Sequence, residues 1–236
     1  MWRQAVERDL GVTLGQWQAL GGGDFASSWR AQVVAGDSAE LSPGMRVFVK
    51  THTDPPAWHF STEALGLSWM QEADAVRVPT VLGVSDEPPY LALQWIDEGQ
   101  RSTMGEEQFG RELAMLHQSP CRQFGRADQR STGSLGLPNV PCASWAEFYA
   151  TQRLLPLARI ARDRRALGDS VIKGIETLAG RLDTIPGSDE SSARLHGDLW
   201  AGNRLVDKMG RSWLIDPASH GGHREFDLAM MRLFGG

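Results

Sequence analysis

The chain has 236 residues, 41% apolar and 22% charged, with 24 Lys and Arg against 29 Asp and Glu for a formal charge of -5. This is ordinary globular usage, so a disordered or fibrous chain is excluded, and the acidic total gives nucleic acid no electropositive footprint. No run approaches the ~18–20 apolar residues of a membrane span, and the charged start at Met1–Leu10 lacks the apolar stretch of a signal peptide. Two cysteines, Cys121 and Cys142, are too few for a disulfide scaffold. A soluble protein of the reducing cytoplasm is expected, with no nucleic-acid or membrane partner. At roughly 150 residues per domain, the length predicts one or two domains.

Residues 1–20 read as a short amphipathic helix, with Trp2, Val6 and Leu10 at helical spacing, followed by a polar approach. Gly21-Gly22-Gly23 is a glycine turn feeding a strand at 29–34, and the turn chemistry of 38–44 leads to a second strand at 45–50. These two strands make a hairpin. Residues 59–72 switch to a helical period, with Phe60, Leu65, Leu67, Trp69 and Met70 among polar residues. Strands follow at 78–84 and 90–96. Beyond them the chain turns helical: Phe109, Leu113, Leu116 and His117 share a face, and Trp145 to Leu157 fits a longer helix. The expected fold is α+β and two-lobed, with a β-rich lobe at 1–97 and a mainly α-helical lobe at 98–236.

The most specific segment is Leu195-His196-Gly197-Asp198-Leu199-Trp200-Ala201-Gly202-Asn203. An Asp and an Asn five residues apart on one loop match the spacing of a kinase catalytic loop. One carboxylate there accepts the proton of an attacking hydroxyl, and a nearby amide oxygen holds magnesium on the phosphates. Asp198 is therefore the candidate base and Asn203 a candidate metal ligand. Residues 211–216 read as a strand ending in Asp216, which a short hairpin around 207–210 returns to the loop as the second metal ligand. Lys50 ends a strand where a kinase needs a lysine for the phosphates, and Glu63 follows on the predicted helix to hold it by an ion pair. Gly21, Gly22, Gly23, Gln94 and Ile96 join Lys50 and Glu63 as candidate ATP-binding residues. An Asp at a helix start can accept backbone N–H bonds from the catalytic loop, so Asp227, with His196, is given a supporting role. His196, His220, His223 and the two cysteines match no tight zinc spacing. Trp58, Trp69, Trp95, Trp145 and His117 read as packing residues.

His196-Gly197-Asp198-Leu199 resembles the aminoglycoside phosphotransferase and choline kinase group of the protein-kinase-like superfamily. Trp200 with Gly202-Asn203 narrows this: the loop resembles the signature of fructosamine kinases, also called ketosamine 3-kinases. Further matches are Lys50, Glu63, Leu113-Ala114-x-Leu116-His117, Gly133-Ser134, Trp145-x-x-Phe148-Tyr149, Arg153-Leu154, Ile215-Asp216-Pro217-Ala218 and Glu225-x-Asp227-Leu228-Ala229-Met230. The resemblance implies a protein-kinase-like fold, ATP and Mg2+ as cofactors, and phosphorylation of the 3-hydroxyl of a sugar joined to an amine, on a small molecule or a protein. The product then decomposes and frees the amine. Trp200 is expected to wall the sugar-amine acceptor. The resemblance also implies further helices beyond the residues matching Leu233-Phe234-Gly235-Gly236, so the second lobe reads as truncated. Two alternatives stand beside this reading: a kinase for another small alcohol, and a catalytically impaired nucleotide-binding protein.

Overall fold

The computed structural model describes residues 1–21, 26–36, 38–128, 130, 132–133 and 135–236. The order is α1 (Trp2–Leu10), β1 (Thr13–Leu20), β2 (Ser27–Ala35), β3 (Arg46–Thr51), α2 (His59–Gln71), β4 (Val81–Asp86) and β5 (Pro89–Gln94). The strands form one antiparallel sheet in the order β1-β2-β3-β5-β4. Alternation along each strand sends successive side chains to opposite faces. On one face Val47, Val49, Tyr90 and Ala92 pack under Ala5, Val6 and Leu10 of α1. On the other, Phe48, Leu91 and Leu93 meet Phe60, Leu67 and Met70 of α2. Lys50 shares this second face, pairing in register with Leu91, which aims it at α2 and away from α1.

The helical half continues with α3 (Thr103–Gln118), α4 (Trp145–Tyr149), α5 (Leu155–Asp163) and α6 (Asp169–Ala179). Short strands follow as β6 (Ala193–Leu195), β7 (Arg204–Val206), β8 (Ser212–Leu214) and β9 (His220–Gly222), then α7 (Glu225–Phe234). Ser102 caps α3 by accepting from Gly105 N–H at 3.1 Å, and Ser144 caps α4 by accepting from Glu147 N–H at 3.2 Å. Phe109, Leu113 and Leu116 of α3 join Leu199 and Leu214 in the same apolar cluster that holds α2. One core thus ties the sheet, α2, α3 and the catalytic loop together. Truncating Leu67 or Leu116 to Ala is expected to cost about 2–5 kcal/mol.

Several elements depart from the sequence reading. The first helix stops at Leu10, where Gly11 takes the left-handed φ of 69°, and residues 13–20 form β1 against β2 instead of an approach to a turn. The strand expected at 78–84 runs from 81 to 86, and the one expected at 90–96 ends at Gln94, leaving Trp95 and Ile96 beyond the sheet. The long helix through 145–157 is broken by a π-turn over Ala150–Leu154. Pro156 near the start of α5 has no N–H to donate to the preceding turn, which accounts for the widened register. Among the described residues no helix is long and apolar enough to cross a membrane.

Candidate active site

The loop between β6 and β7 is shaped from beneath. Asp227, fully buried at the start of α7, accepts the N–H groups of His196 and Gly197, each at 2.9 Å, and the His117 ring nitrogen at 3.0 Å. Burial alone would raise this carboxyl's pKa; donation from His117 and the Gly197 backbone outweighs it and holds the group below the usual carboxylate range. His196 is also fully buried. Its Nδ1 accepts from Asp198 N–H at 3.2 Å, and its Nε2 lies 2.9 Å from the Ile215 carbonyl. Gly197 has φ 82°, and a Cβ there would lie 2.2 Å from the Ala218 carbonyl oxygen. Only glycine fits.

Asp198 is half-buried and hydrogen-bonded within its own loop. Asn203 Nδ2 donates to Asp198 Oδ2 at 2.9 Å and to its backbone oxygen at 2.8 Å. Burial pushes the Asp198 pKa up against the opposing pull of His196 and of the Asn203 hydrogen bond, and the charges of Asp216 and Asp227 add to the rise. Ile215 N–H donates to the Asn203 carbonyl at 3.0 Å, which brings the end of β8 against the turn and sets Asp216 beside Asp198. Asp216 adopts φ 55°, a left-handed conformation that Asp tolerates better than most residues.

Lys50 reaches this point from the sheet. Its Nζ lies 2.8 Å from Glu63 Oε1 and hydrogen-bonds Asp216 Oδ1. Burial alone would lower the lysine's pKa, but the two carboxylates outweigh it and keep the ammonium charged. Burial pushes the Glu63 carboxyl up, against the pull of Lys50. Trp200, 39% exposed, lays its ring over Gly202, where a Cβ would stand 2.3 Å from the ring. The glycine of the loop signature is thus the floor on which the indole rests.

The structure brings Asp198, Asn203, Asp216, Lys50, Glu63, His196, Trp200 and Asp227 into one region, and other candidates sit apart from it. Gly21 follows β1, while Gly22 and Gly23 lie outside the described residues. Gln94 pairs with Val47, three register positions from the Lys50–Leu91 pair, and its Oε1 accepts from Thr80 N–H and Oγ1, each at 3.3 Å. Its side chain is committed to the lead into β4, on the α1 face of β5. Ile96 is buried beyond that strand. Trp58, read as a core residue, is instead 55% exposed under the Arg130 guanidinium, because its left-handed φ of 59° turns it out of α2. His117, read as packing, holds Asp227. His59 was missed altogether: it opens α2 near Lys50, and burial and that cation press its pKa down to about 4. Nothing local in the sequence marks His59, and the segment Leu113-Ala114-x-Leu116-His117 marks His117 without showing its partner.

A family model described as fructosamine kinase matches residues 4–236. A protein named as a probable ketoamine kinase from Synechocystis is 35% identical over 197 residues, covering 81% of this chain and 65% of that protein. The chloroplastic protein-ribulosamine 3-kinase of Arabidopsis thaliana is 34% identical over 190 residues, covering 78% of this chain and 57% of that one. The chain therefore spans less than two thirds of these two relatives. A crystal structure of a protein provisionally assigned as a fructosamine-3-kinase from Thermobifida fusca superposes with TM-score 0.86 at 37% identity, over 99% of this chain and 78% of that chain. An aminoglycoside phosphotransferase, APH(4)-Ia, with AMP-PNP and hygromycin B bound, superposes with TM-score 0.62 at 13% identity, over 98% of this chain and 75% of that chain. The second likeness establishes the shared kinase-like fold and nothing finer.

Proposed function

The chain belongs to the fructosamine kinase family, and from that premise we propose that it transfers the γ-phosphoryl group of ATP to the sugar 3-hydroxyl of a ketosamine. The observation that carries this reading is the convergence of Asp198, Asn203, Asp216, Lys50 and Glu63, drawn from three stretches of the chain, on one cleft. Asp198 accepts the proton of the sugar hydroxyl and aims the oxygen at phosphorus. Its raised pKa makes it a stronger base than an ordinary aspartate. Lys50, shared by two carboxylates, exchanges its contact with Asp216 for phosphate oxygens while Glu63 keeps it aligned.

The donor set suits magnesium. Asn203 has its amide nitrogen committed to Asp198, so its oxygen is the ligating atom, and Asp216 adds a carboxylate whose side chain is 40% exposed. Two hard oxygen donors from the protein, completed by phosphates and water, are what Mg2+ prefers. An ion held by Asn203 and Asp216 would offset the charge that develops on transfer.

The exposed indole of Trp200, two residues beyond the base, presents an apolar wall to the acceptor's sugar and an attractive face to its protonated amine. The Arabidopsis relative's name supports a protein-bound ribulosamine as acceptor. We assign the protein to the reducing cytoplasm, where Cys121 and Cys142, both unbridged, remain thiols. An ATP-consumption assay with ribulose-lysine tests the proposal. Turnover that requires the adduct supports it, and consumption indifferent to the adduct contradicts it.

A further inference from the structure

Arg126 is 94% buried by accessible surface (6% exposed) and none of the chemistry above uses it. Its guanidinium touches three separate stretches. Nη1 donates to Ser219 Oγ at 2.7 Å, Nη2 reaches the Thr62 carbonyl at 3.4 Å, and Nε donates to Asp128 Oδ1 at 3.0 Å. Thr62 immediately precedes Glu63 on α2, and Ser219 lies three residues beyond Asp216. Asn139, fully buried, extends the network: its Nδ2 donates to the Ser219 carbonyl at 3.4 Å and its Oδ1 accepts from Arg153 at 2.9 Å. Thr132 Oγ1 donates to the Pro217 carbonyl at 2.9 Å.

Residues 217–219 belong to no helix or strand, so no ladder fixes them. The side chains of Arg126, Thr132 and Asn139 hold their polar groups instead. From the other side α2 approaches with a glycine: a Cβ at Gly66 would sit 2.8 Å from Ser219 Oγ and 3.1 Å from Arg126 Nη1. The Asp216 side chain is 40% exposed and its backbone is left-handed, so its position must be imposed by its neighbours. A ligating carboxylate works only when held to within about 0.5 Å of its productive place.

We infer that Arg126, with Ser219 and Asn139, is a positioning device that fixes Asp216 and the Glu63 turn of α2 relative to one another, so that one guanidinium sets both the metal-binding carboxylate and the carboxylate that holds Lys50. This inference rests on the kinase reading above. It makes Arg126 a positioning residue with no contact to the reacting atoms.

The test is calorimetry of a non-hydrolysable ATP analogue, with and without Mg2+, on the parent, Arg126→Lys, Ser219→Ala and Gly66→Ala. The last variant keeps every hydrogen-bonding atom and improves helix propensity, so it guards against a variant that merely fails to fold. Loss of one hydrogen bond predicts an affinity with Mg2+ weakened by about 2- to 13-fold in Arg126→Lys and Ser219→Ala, and displacement of Ser219 Oγ by the added Cβ predicts a weakening in Gly66→Ala as well. Affinity without Mg2+ should stay within about twofold of the parent, and kcat should fall while the acceptor KM holds. Unchanged Mg2+-dependent affinity in all three, with only Tm lowered, overturns the inference. Turnover of ribulose-lysine by the parent is measured alongside. Intact Mg2+-ATP binding without turnover refutes the functional reading while the affinity shifts still decide this one.

Discussion

Asp198 and Asp216 stand side by side in the cleft and are held in opposite ways. Asp198 is restrained by neutral groups of its own loop, the Asn203 amide and the His196-braced backbone, with Asp227 beneath. Asp216 is restrained by a cation from the sheet, Lys50, and by the segment that follows it. Neutral hydrogen bonds position a carboxylate without quenching its basicity, whereas an ion pair holds one with a charge that a phosphate can draw away. The difference matches the two proposed tasks, proton acceptance and ligand exchange.

The largest effect is expected where that division is broken at the base. Asp198→Asn keeps a similar shape and removes proton acceptance, so kcat should fall by about 10²- to 10⁴-fold with ATP affinity little changed. In the parent, kcat/KM should fall on the acid side through a pKa above the ordinary 3.8 of aspartate, because burial raises that of Asp198. A profile flat across that region removes it as the base. Asp216→Ala should lose Mg2+-dependent ATP binding together with turnover, which a magnesium titration by calorimetry measures. Because it also strips Lys50 of one partner, Glu63→Ala is the sharper probe of the lysine: breaking a buried pair costs about 3–5 kcal/mol, and any folded fraction should still turn over slowly. Full activity of that fraction makes the pair structural.

Support from below is tested by acid denaturation. The Asp227 carboxyl is held under its ordinary range, so its contribution to stability is complete above the unfolded pKa near 3.8 and is lost as pH falls through the lowered folded value. Asp227→Asn should lower Tm at neutral pH and lessen the acid-side decline. The same decline in parent and variant would show that this carboxylate is not what the loop leans on. The smallest effect belongs to Trp200→Ala: an acceptor KM raised by about 2- to 30-fold, the worth of ~0.5–2 kcal/mol, with ATP KM unchanged. Equal losses for both substrates would make the indole a packing residue.

Local chemistry was legible in the sequence and distant contacts were not. The five-residue step from Asp198 to Asn203 is a property of one loop, and the order Lys50, Glu63, Asp216 follows from chain direction. By contrast, β1 carries little apolar alternation over Thr13–Leu20, and its strand character comes from the ladder that β2 offers. Gln94 was expected within a strand at 90–96 as an ATP-binding residue, yet the period of two puts its side chain on the α1 face with Tyr90 and Ala92. His117 and Asp227 are 110 residues apart, and Arg126 gathers Thr62 and Ser219 from 64 and 93 residues away. No motif length spans such contacts, so they emerge only from packing.

The central claim is that this cleft transfers phosphate to a ketosamine with Asp198 as base. Mass spectrometry of ribulose-lysine incubated with Mg2+, ATP and either the parent or Asp198→Asn tests it most directly. The expected result is a phosphate on the sugar 3-oxygen with the parent, dependent on Mg2+, and about 10²- to 10⁴-fold slower formation with the variant. An unmodified adduct after incubation with a parent chain that binds Mg2+-ATP, or equal phosphorylation by the variant, would contradict it.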